Sequence, residues 1–528
     1  MLTRRTLMAA TAAAPLISHE ALAATPKNVV VMAKQIDDVI SFDPAESYEF
    51  TNGEVNSNVY RRLVAPDHTD HSKVAGDLAQ SWTVSPDGLT FTFKLKTTSK
   101  FPSGKTLTAE DAAFSLHRVV KLNKTPGFII TQFGFTKDNV ESLIVAKDAT
   151  TMTMTLPQPA APSFVLFCLS AGVGSVVEKA AVMAHDVGGD LGNAWLKNHS
   201  AGSGAYQLTE WVASDHITID ANPNSGIPTG VKRISLRHVA DPSAQLLMLQ
   251  KGDADIVRDL TPDLLTKVKA DKSYTVTSSG QGNSTYIAMN QAMPELQKVQ
   301  VHQAIKWAID YEAIARNITP NQYVVAQGFL PPGLPGAMTD KPFKKDVAKA
   351  KALLAEAGYP DGFAVTMDFI SAAPNGDIAQ AVQADLAAVG IKVSLLPGEQ
   401  KQVITKTRAR THQLAMLGWG TDYFDPNSNS QAWCENPDDS ADSKLKILAW
   451  RSHYVDKELN DMSLAASKEL DGAKRIKMYQ DMQVTFANRA PFVMMLQKIA
   501  SATLGKGVSG FQIGPLPDFT KYSDIKKA

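Results

Sequence analysis

Cysteine is almost missing from this chain of 528 residues, with Cys168 and Cys434 the two present. Two thiols so far apart in sequence give no disulfide framework and cannot by themselves make a zinc site. Cys168 falls in the apolar run Phe164–Leu169, the setting of a small buried hydrophobe. Net charge is missing too: 53 basic side chains are matched by 53 acidic ones, interspersed without a basic run. That leaves no electrostatic footprint for nucleic acid, so none is expected as a partner. A long hydrophobic span is also lacking at the N-terminus, where the apolar run Leu7–Ile17 falls short of the about 20 residues a membrane-crossing helix needs. The run follows Thr3-Arg4-Arg5-Thr6-Leu7 and precedes the small-residue site Ala21-Leu22-Ala23. Residues 1–23 therefore read as a cleavable signal peptide of twin-arginine-like pattern, open to the Tat or the Sec route. No cysteine follows the run, so a soluble periplasmic protein without a lipid anchor is expected.

Catalytic patterns are equally scarce. Gly104-Lys105-Thr106 resembles the end of a phosphate loop, but Ser99 stands where that loop needs glycine. Gly202-Ser203-Gly204 is too short for a nucleophile elbow, and Gly172-Val173-Gly174 lacks the third glycine of a dinucleotide turn. His68 and His71 flank Asp70 and read as exposed loop histidines, and no His-Glu-x-x-His occurs. No catalytic residue, metal or cofactor is expected, and a secreted hydrolase is the remote alternative.

What the chain does have is an ordinary globular composition, 44% hydrophobic with mean hydropathy −0.14. Its length exceeds what one core serves, so two or more lobes are expected. Trp82–Lys96 alternates apolar and polar residues about Pro86-Asp87-Gly88, the pattern of a hairpin with Phe91, Phe93 and Leu95 inward. Thr108 followed by Glu110 and Asp111 marks a helix start. Val299–Ile318 carries three-and-four apolar spacing and predicts one amphipathic helix. Beyond residue 346, helical and strand patterns alternate (346–358, 364–370, 377–389, 391–396), implying an α/β lobe with parallel pairing.

The most informative segment is Gly418-Trp419-Gly420-Thr421-Asp422-Tyr423-Phe424-Asp425-Pro426. It sets one acid, Asp422, among three aromatic rings, between two glycines expected to turn the chain and an Asp-Pro stop. A carboxylate with aromatic walls suits a ligand that carries a positive charge. Asp425-Pro426 reads as a structural Asx-type turn.

This segment resembles the GW-x-x-DY-x-DP signature of the peptide/nickel/opine class of ABC-importer solute-binding proteins, bacterial extracellular solute-binding family 5. Four further blocks are similar to that family in the same order: Leu78–Arg118, Ala201–Ile219, Ser284–Asp310 and Ala487–Gln497. Ala205 stands where proline is usual and His302 where arginine is usual. The resemblance implies an α/β, two-lobed periplasmic-binding-protein fold of the large type, with an extra subdomain in lobe I and a two-strand hinge. It implies lobe I at 24–285 and 495–528, lobe II at 286–494, and crossing strands at Tyr286–Asn290 and Phe492–Gln497. It further implies that Asp422 pairs with a ligand ammonium while Trp419 and Tyr423 wall the first side-chain pocket. Tyr48 and Glu49 would line the cleft from lobe I. The expected partners are a short peptide, or another amine-bearing solute such as an opine, a glutathione-like compound or a nickel chelate, and an ABC permease; a monomer is expected. Some relatives place a carboxylate-binding arginine where this chain has Met416, and Arg408 and Arg410 read as solvent-facing, which leaves the partner of a peptide's carboxylate open.

Overall fold

A computed structural model describes residues 25–67 and 69–528. The expected leader, residues 1–23, and His68 lie outside the described residues. Among the described residues, no helix is long and apolar enough to cross a membrane.

Extended apolar segments assemble into one 12-stranded mixed sheet. Its main path runs Tyr206–Val212, His216–Ala221, Arg233–His238, Val29–Lys34, Ile256–Val257, Phe492–Leu504, Asn283–Met289, Leu414–Gly420, Ala364–Ile370 and Lys392–Gly398. Thr275–Gly280 and Tyr323–Val325 pair with Phe492–Leu504 off this path. That long strand joins the two ends of the sheet. Its first part runs antiparallel to Asn283–Met289, with Ala288 opposite Phe492, and its last part to Thr275–Gly280, with Thr275 opposite Leu504. Where the partner changes, the buried Gln497 amide donates to the carbonyls of Gln281 and Pro332 at 2.9 and 2.7 Å.

A separate four-stranded sheet orders Ala79–Val84, Thr90–Leu95, Thr151–Thr155 and Ile144–Ala146. The hairpin turns at Gly88, whose φ of 74° suits a residue without a Cβ. Phe91, Phe93 and Leu95 are buried, packed against the Ala109–Leu122 helix. Thr108 and Asp111 cap that helix reciprocally: the Asp111 Oδ2 accepts from the Thr108 N–H at 3.0 Å. Ile287, Val301, Ile305, Met367 and Val382 belong to a different core.

The later alternation behaves as read. Asp346 caps the Val347–Glu356 helix, and Ala364–Ile370 pairs in parallel with both Lys392–Gly398 and Leu414–Gly420. The expected single helix over Val299–Ile318 is instead broken. The helix ends at Ala308; Asp310 gives its backbone N–H to Asp385 Oδ2 at 2.8 Å, and its own carboxylate caps Ala313 at 3.0 Å. Apolar spacing carries across this break because both pieces face the same core, so periodicity alone could not reveal the cap.

Buried charge in the first half of the chain is held in closed pairs. Arg118 grips Asp43 through two bonds of 2.6 and 2.5 Å, and Asn193 adds a third at 2.6 Å. Asp43 in turn receives the Ala45 N–H at 2.9 Å, so the pair sets the turn that leads into the Phe50–Val59 helix. Burial opposes ionisation of Glu54 on that helix, yet Arg258 and Lys34 hold its carboxyl down at about 2. Arg118→Met should leave the Asp43 carboxylate buried without its counter-charge. Urea unfolding should then show a loss of about 3–5 kcal/mol, while a loss under 1 kcal/mol would contradict the assignment.

Candidate functional site

A cavity of about 760 Å³ opens between the loop at Ser47–Phe50 and the end of the Leu414–Gly420 strand. Each wall is built by identifiable local chemistry. On one side, Glu49 is the N-cap residue of the Phe50–Val59 helix, and its Oε2 accepts from the Asn52 amide at 2.9 Å and the Tyr48 N–H at 3.2 Å. Tyr48 packs edge-on to Phe128, with ring centroids 6.2 Å apart.

On the other side, the chain leaves the Leu414–Gly420 strand and enters the Pro426–Cys434 helix within five residues (421–425). Asp425 caps this helix through the Asn427 N–H at 2.9 Å, as its Asx-type reading required. The same carboxylate, fully buried, is gripped by Arg475 at 2.7 and 2.6 Å. Arg475 also bonds the Ser163 hydroxyl at 3.0 Å, the Ala466 carbonyl at 2.9 Å and the Tyr479 hydroxyl at 3.1 Å. Thr421 bonds Asn429 at 2.9 Å, and the Asp422 N–H bonds the Ser428 hydroxyl at 2.9 Å. The loop is thus tied to the first turn of its own helix.

Asp422 comes out of this loop into the cavity, where its Oδ1 accepts a hydrogen bond from the Tyr48 hydroxyl on the opposite wall. Burial pushes its carboxyl up to about 6, against the lowering effect of that hydrogen bond. Burial and the nearby carboxylate push the Tyr48 phenol upward as well, so it remains a donor. No cation of the protein forms an ion pair with Asp422 among the described residues. An acid of this kind, half-buried and without a cationic partner, is set to receive a positive charge.

Trp419, half-buried, also lines the cavity, and so do Tyr48 and Glu49. Tyr423 does not, which corrects its expected place on the pocket wall. It is 1% exposed, stacked on Phe164 at 5.6 Å and bonded to the Asn427 amide at 3.3 Å. Neighbours in an extended loop point opposite ways, so with Asp422 in the cavity its successor enters the core. The two glycines are not turns either. Gly418 and Gly420 lie inside the strand without positive φ, and a Cβ on Gly418 would meet nothing within 4 Å. They leave the strand end bare where a ligand can approach.

Sequence reasoning missed the cationic part of the lining. Arg408, Lys444, Lys446 and Arg451 all border the cavity. Arg451 is half-buried; desolvation and the neighbouring Arg408 both weaken its hold on the proton. Neither arginine has an ion-pair partner among the described residues, where the Arg451 side chain makes one hydrogen bond, to the Lys446 carbonyl at 3.3 Å. Arg408, set aside as solvent-facing, is exposed because it faces this opening. Arg410 is occupied elsewhere, over the Trp450 ring and paired with Asp439. No spacing signal marks Arg451, since its place depends on a loop that returns to the cavity from elsewhere in the chain. Among the described residues no group of His, Cys, Asp and Glu could hold a metal; His71 packs edge-on against Phe519 at 4.9 Å. Both cysteines are free and buried.

The sequence profile of the bacterial extracellular solute-binding proteins, family 5 Middle, matches residues 73–441. The chain is similar to the probable D,D-dipeptide-binding periplasmic protein DdpA of Escherichia coli strain K12, 29% identical over 501 residues that cover 94% of this chain and 93% of that one. It is similar to the glutathione-binding protein GsiB of the same strain, 26% identical over 493 residues and 91% of each chain. In fold it is similar to the ABC transporter-associated periplasmic binding protein DppA from Helicobacter pylori, solved in complex with the peptide STSA. That match has TM-score 0.76 and 23% identity, and covers 94% of this chain and 98% of that one.

The Tyr48 hydroxyl favours the ionised form of Asp422. Tyr48→Phe should therefore raise the Asp422 midpoint above about 6, as read from the carboxyl-carbon NMR titration that disappears in Asp422→Asn. An unchanged or lower midpoint would show that the phenol does not act on this acid.

Proposed function

We propose, from the premise that this chain belongs to the bacterial extracellular solute-binding proteins of family 5, that it captures short peptides for an ABC importer. The protein is exported to the periplasm by residues 1–23, binds a peptide between two lobes and presents it to a membrane permease. Lobe I comprises 24–285 with 495–528, and lobe II 286–494. The paired segments around Asn283–Met289 and Phe492–Leu504 serve as the hinge. The chain works by binding and closure rather than by covalent chemistry.

The observation that carries this reading is the charge pattern of the 760 Å³ cavity: a half-buried acid without a cation, Asp422, and a pair of arginines without an acid, Arg408 and Arg451. A free peptide is a zwitterion and supplies the missing partner to each. Its ammonium pairs with Asp422, and Trp419 and Tyr48 provide aromatic surface beside it. Its carboxylate goes to Arg451 with Arg408, the receptor left open by the sequence at Met416. The cavity lies within the about 300–1,000 Å³ typical of small-molecule sites and leaves room for water around a peptide's side chains.

One observation favours a second reading. Four cationic side chains line the cavity against three acidic ones (Glu49, Asp422 and Asp518), and Asp518 is already paired with Arg62 at 2.8 Å. That surplus fits an amine-bearing solute with two carboxylates, such as a glutathione-like compound.

Isothermal titration with free dipeptides, their N-acetyl forms and their C-terminal amides tests both charge pairs. Asp422→Asn should cost about 3–5 kcal/mol, a few hundredfold or more in affinity, for a free-amine peptide. Arg451→Met should weaken acids more than amides. Wild-type affinity should fall as pH drops below about 6, where Asp422 takes up a proton and loses the charge that holds the ammonium. N-acetyl peptides binding as tightly as free ones, with Asp422→Asn unchanged, would overturn the pairing of the ammonium with Asp422, and no binding of any of these peptides would overturn the peptide reading.

A further inference from the structure

Beside the main cavity lies a second chamber of about 190 Å³, with Gly418 in the wall of both. We propose that this chamber is a ligand subsite that accepts a neutral hydrogen-bonding side chain, a carboxamide above all, and so selects among the peptides the main cavity admits. The proposal rests on the peptide reading and deepens it.

Three observations support it. First, no charged residue lines the chamber, whereas cations and acids crowd the main cavity. A charged side chain entering it would lose hydration without gaining a counter-ion. Second, its walls hold unused hydrogen-bonding capacity. The side chains of Thr285, Tyr323 and Asn375 make no hydrogen bond to the described protein, and Asn283 accepts the Lys498 N–H at 3.0 Å while its own amide hydrogens have no protein partner. Thr285 and Asn375 can donate and accept, Tyr323 donates, and the Asn283 amide donates. A carboxamide, with one acceptor oxygen and two donor hydrogens, is complementary to that set.

Third, Gly418 is unexplained by the fold. Its φ is not positive, and an added Cβ would meet no atom within 4 Å. Neither backbone conformation nor packing requires glycine there. Its bare backbone stands in the wall of both spaces, beside Trp419, where a side chain would narrow the gap between them. Met416 and Ile370 give the chamber apolar sides, so that a bound amide sits in a partly dry pocket where its hydrogen bonds count.

Titration calorimetry with Ala-Gln and Gln-Ala, against the corresponding Met and Glu dipeptides and Ala-Ala as reference, tests the assignment. The better-placed glutamine peptide should bind about tenfold tighter than its methionine or glutamate counterpart. Asn375→Ala, Thr285→Val and Gly418→Val should each bring that ratio toward one, the last by filling that gap; melting curves confirm that each variant is folded. If glutamine, methionine and glutamate peptides bind wild type alike, or the ratio survives all three substitutions, the chamber is not a subsite, while Ala-Ala binding leaves the peptide reading in place. If no free-amine dipeptide binds wild type at millimolar concentration, the peptide reading itself falls and takes this proposal with it.

Discussion

The buried pair of Asp425 and Arg475 holds the loop at 421–425 in place. Two ions are removed from water at the point where a strand becomes a helix, and each satisfies the other through two short bonds. The remaining guanidinium hydrogens reach Ser163, Ala466 and Tyr479, so one side chain ties together the loop, two later helices and a residue from the first half of the chain. A buried pair adds little net stability over apolar packing, but its geometry is exacting, and breaking it strands a charge. With Asp425 anchored, Tyr423 and Phe424 are drawn into different apolar cores, and the carboxylate of Asp422 is left facing the cavity.

That arrangement leaves Asp422 at an energetic disadvantage that a ligand can relieve. Two fully enclosed acids have a cation: Asp43 has Arg118, and Glu54 has Arg258 and Lys34. Asp422 has a neutral phenol instead, and its carboxyl is raised to about 6 rather than held down. Arg451 mirrors it, desolvated beside a second arginine. Unpaired charges of opposite sign within one cavity complement a zwitterion, and a ligand of that kind would offset the cost of burying each. A hydrogen bond from Tyr48 to Asp422 already spans the opening, so the walls are close enough for one small solute to touch both.

Much of the scaffold is legible in the residues. The Pro-Asp-Gly hairpin, the Thr108–Asp111 cap and the alternating elements after residue 346 all follow local rules of turn chemistry, capping and periodicity. Val299–Ile318 was misread because a side-chain cap from Asp310 and a bond to Asp385, distant in sequence, interrupt a helix without disturbing its apolar spacing. Asp422 stood out because a lone acid among rings is unusual. Tyr423 shared that composition but not that fate, since a string of letters does not show which neighbour faces the core. Arg408 and Arg451 were invisible for a different reason: a charged residue on a polar segment looks solvated whether it faces bulk water or a cleft.

The sequence by itself determined the chain's family resemblance, most of its local elements and the acid that stands among three rings at Asp422, because each depends on residues that are neighbours along the chain. Only the tertiary structure decided which charges meet in the cavity, that Tyr423 belongs to the core, and that Gly418 stands between two chambers. Those outcomes depend on segments brought together from opposite ends of the chain, where packing and the desolvation of charge, rather than local propensity, set the position of each side chain.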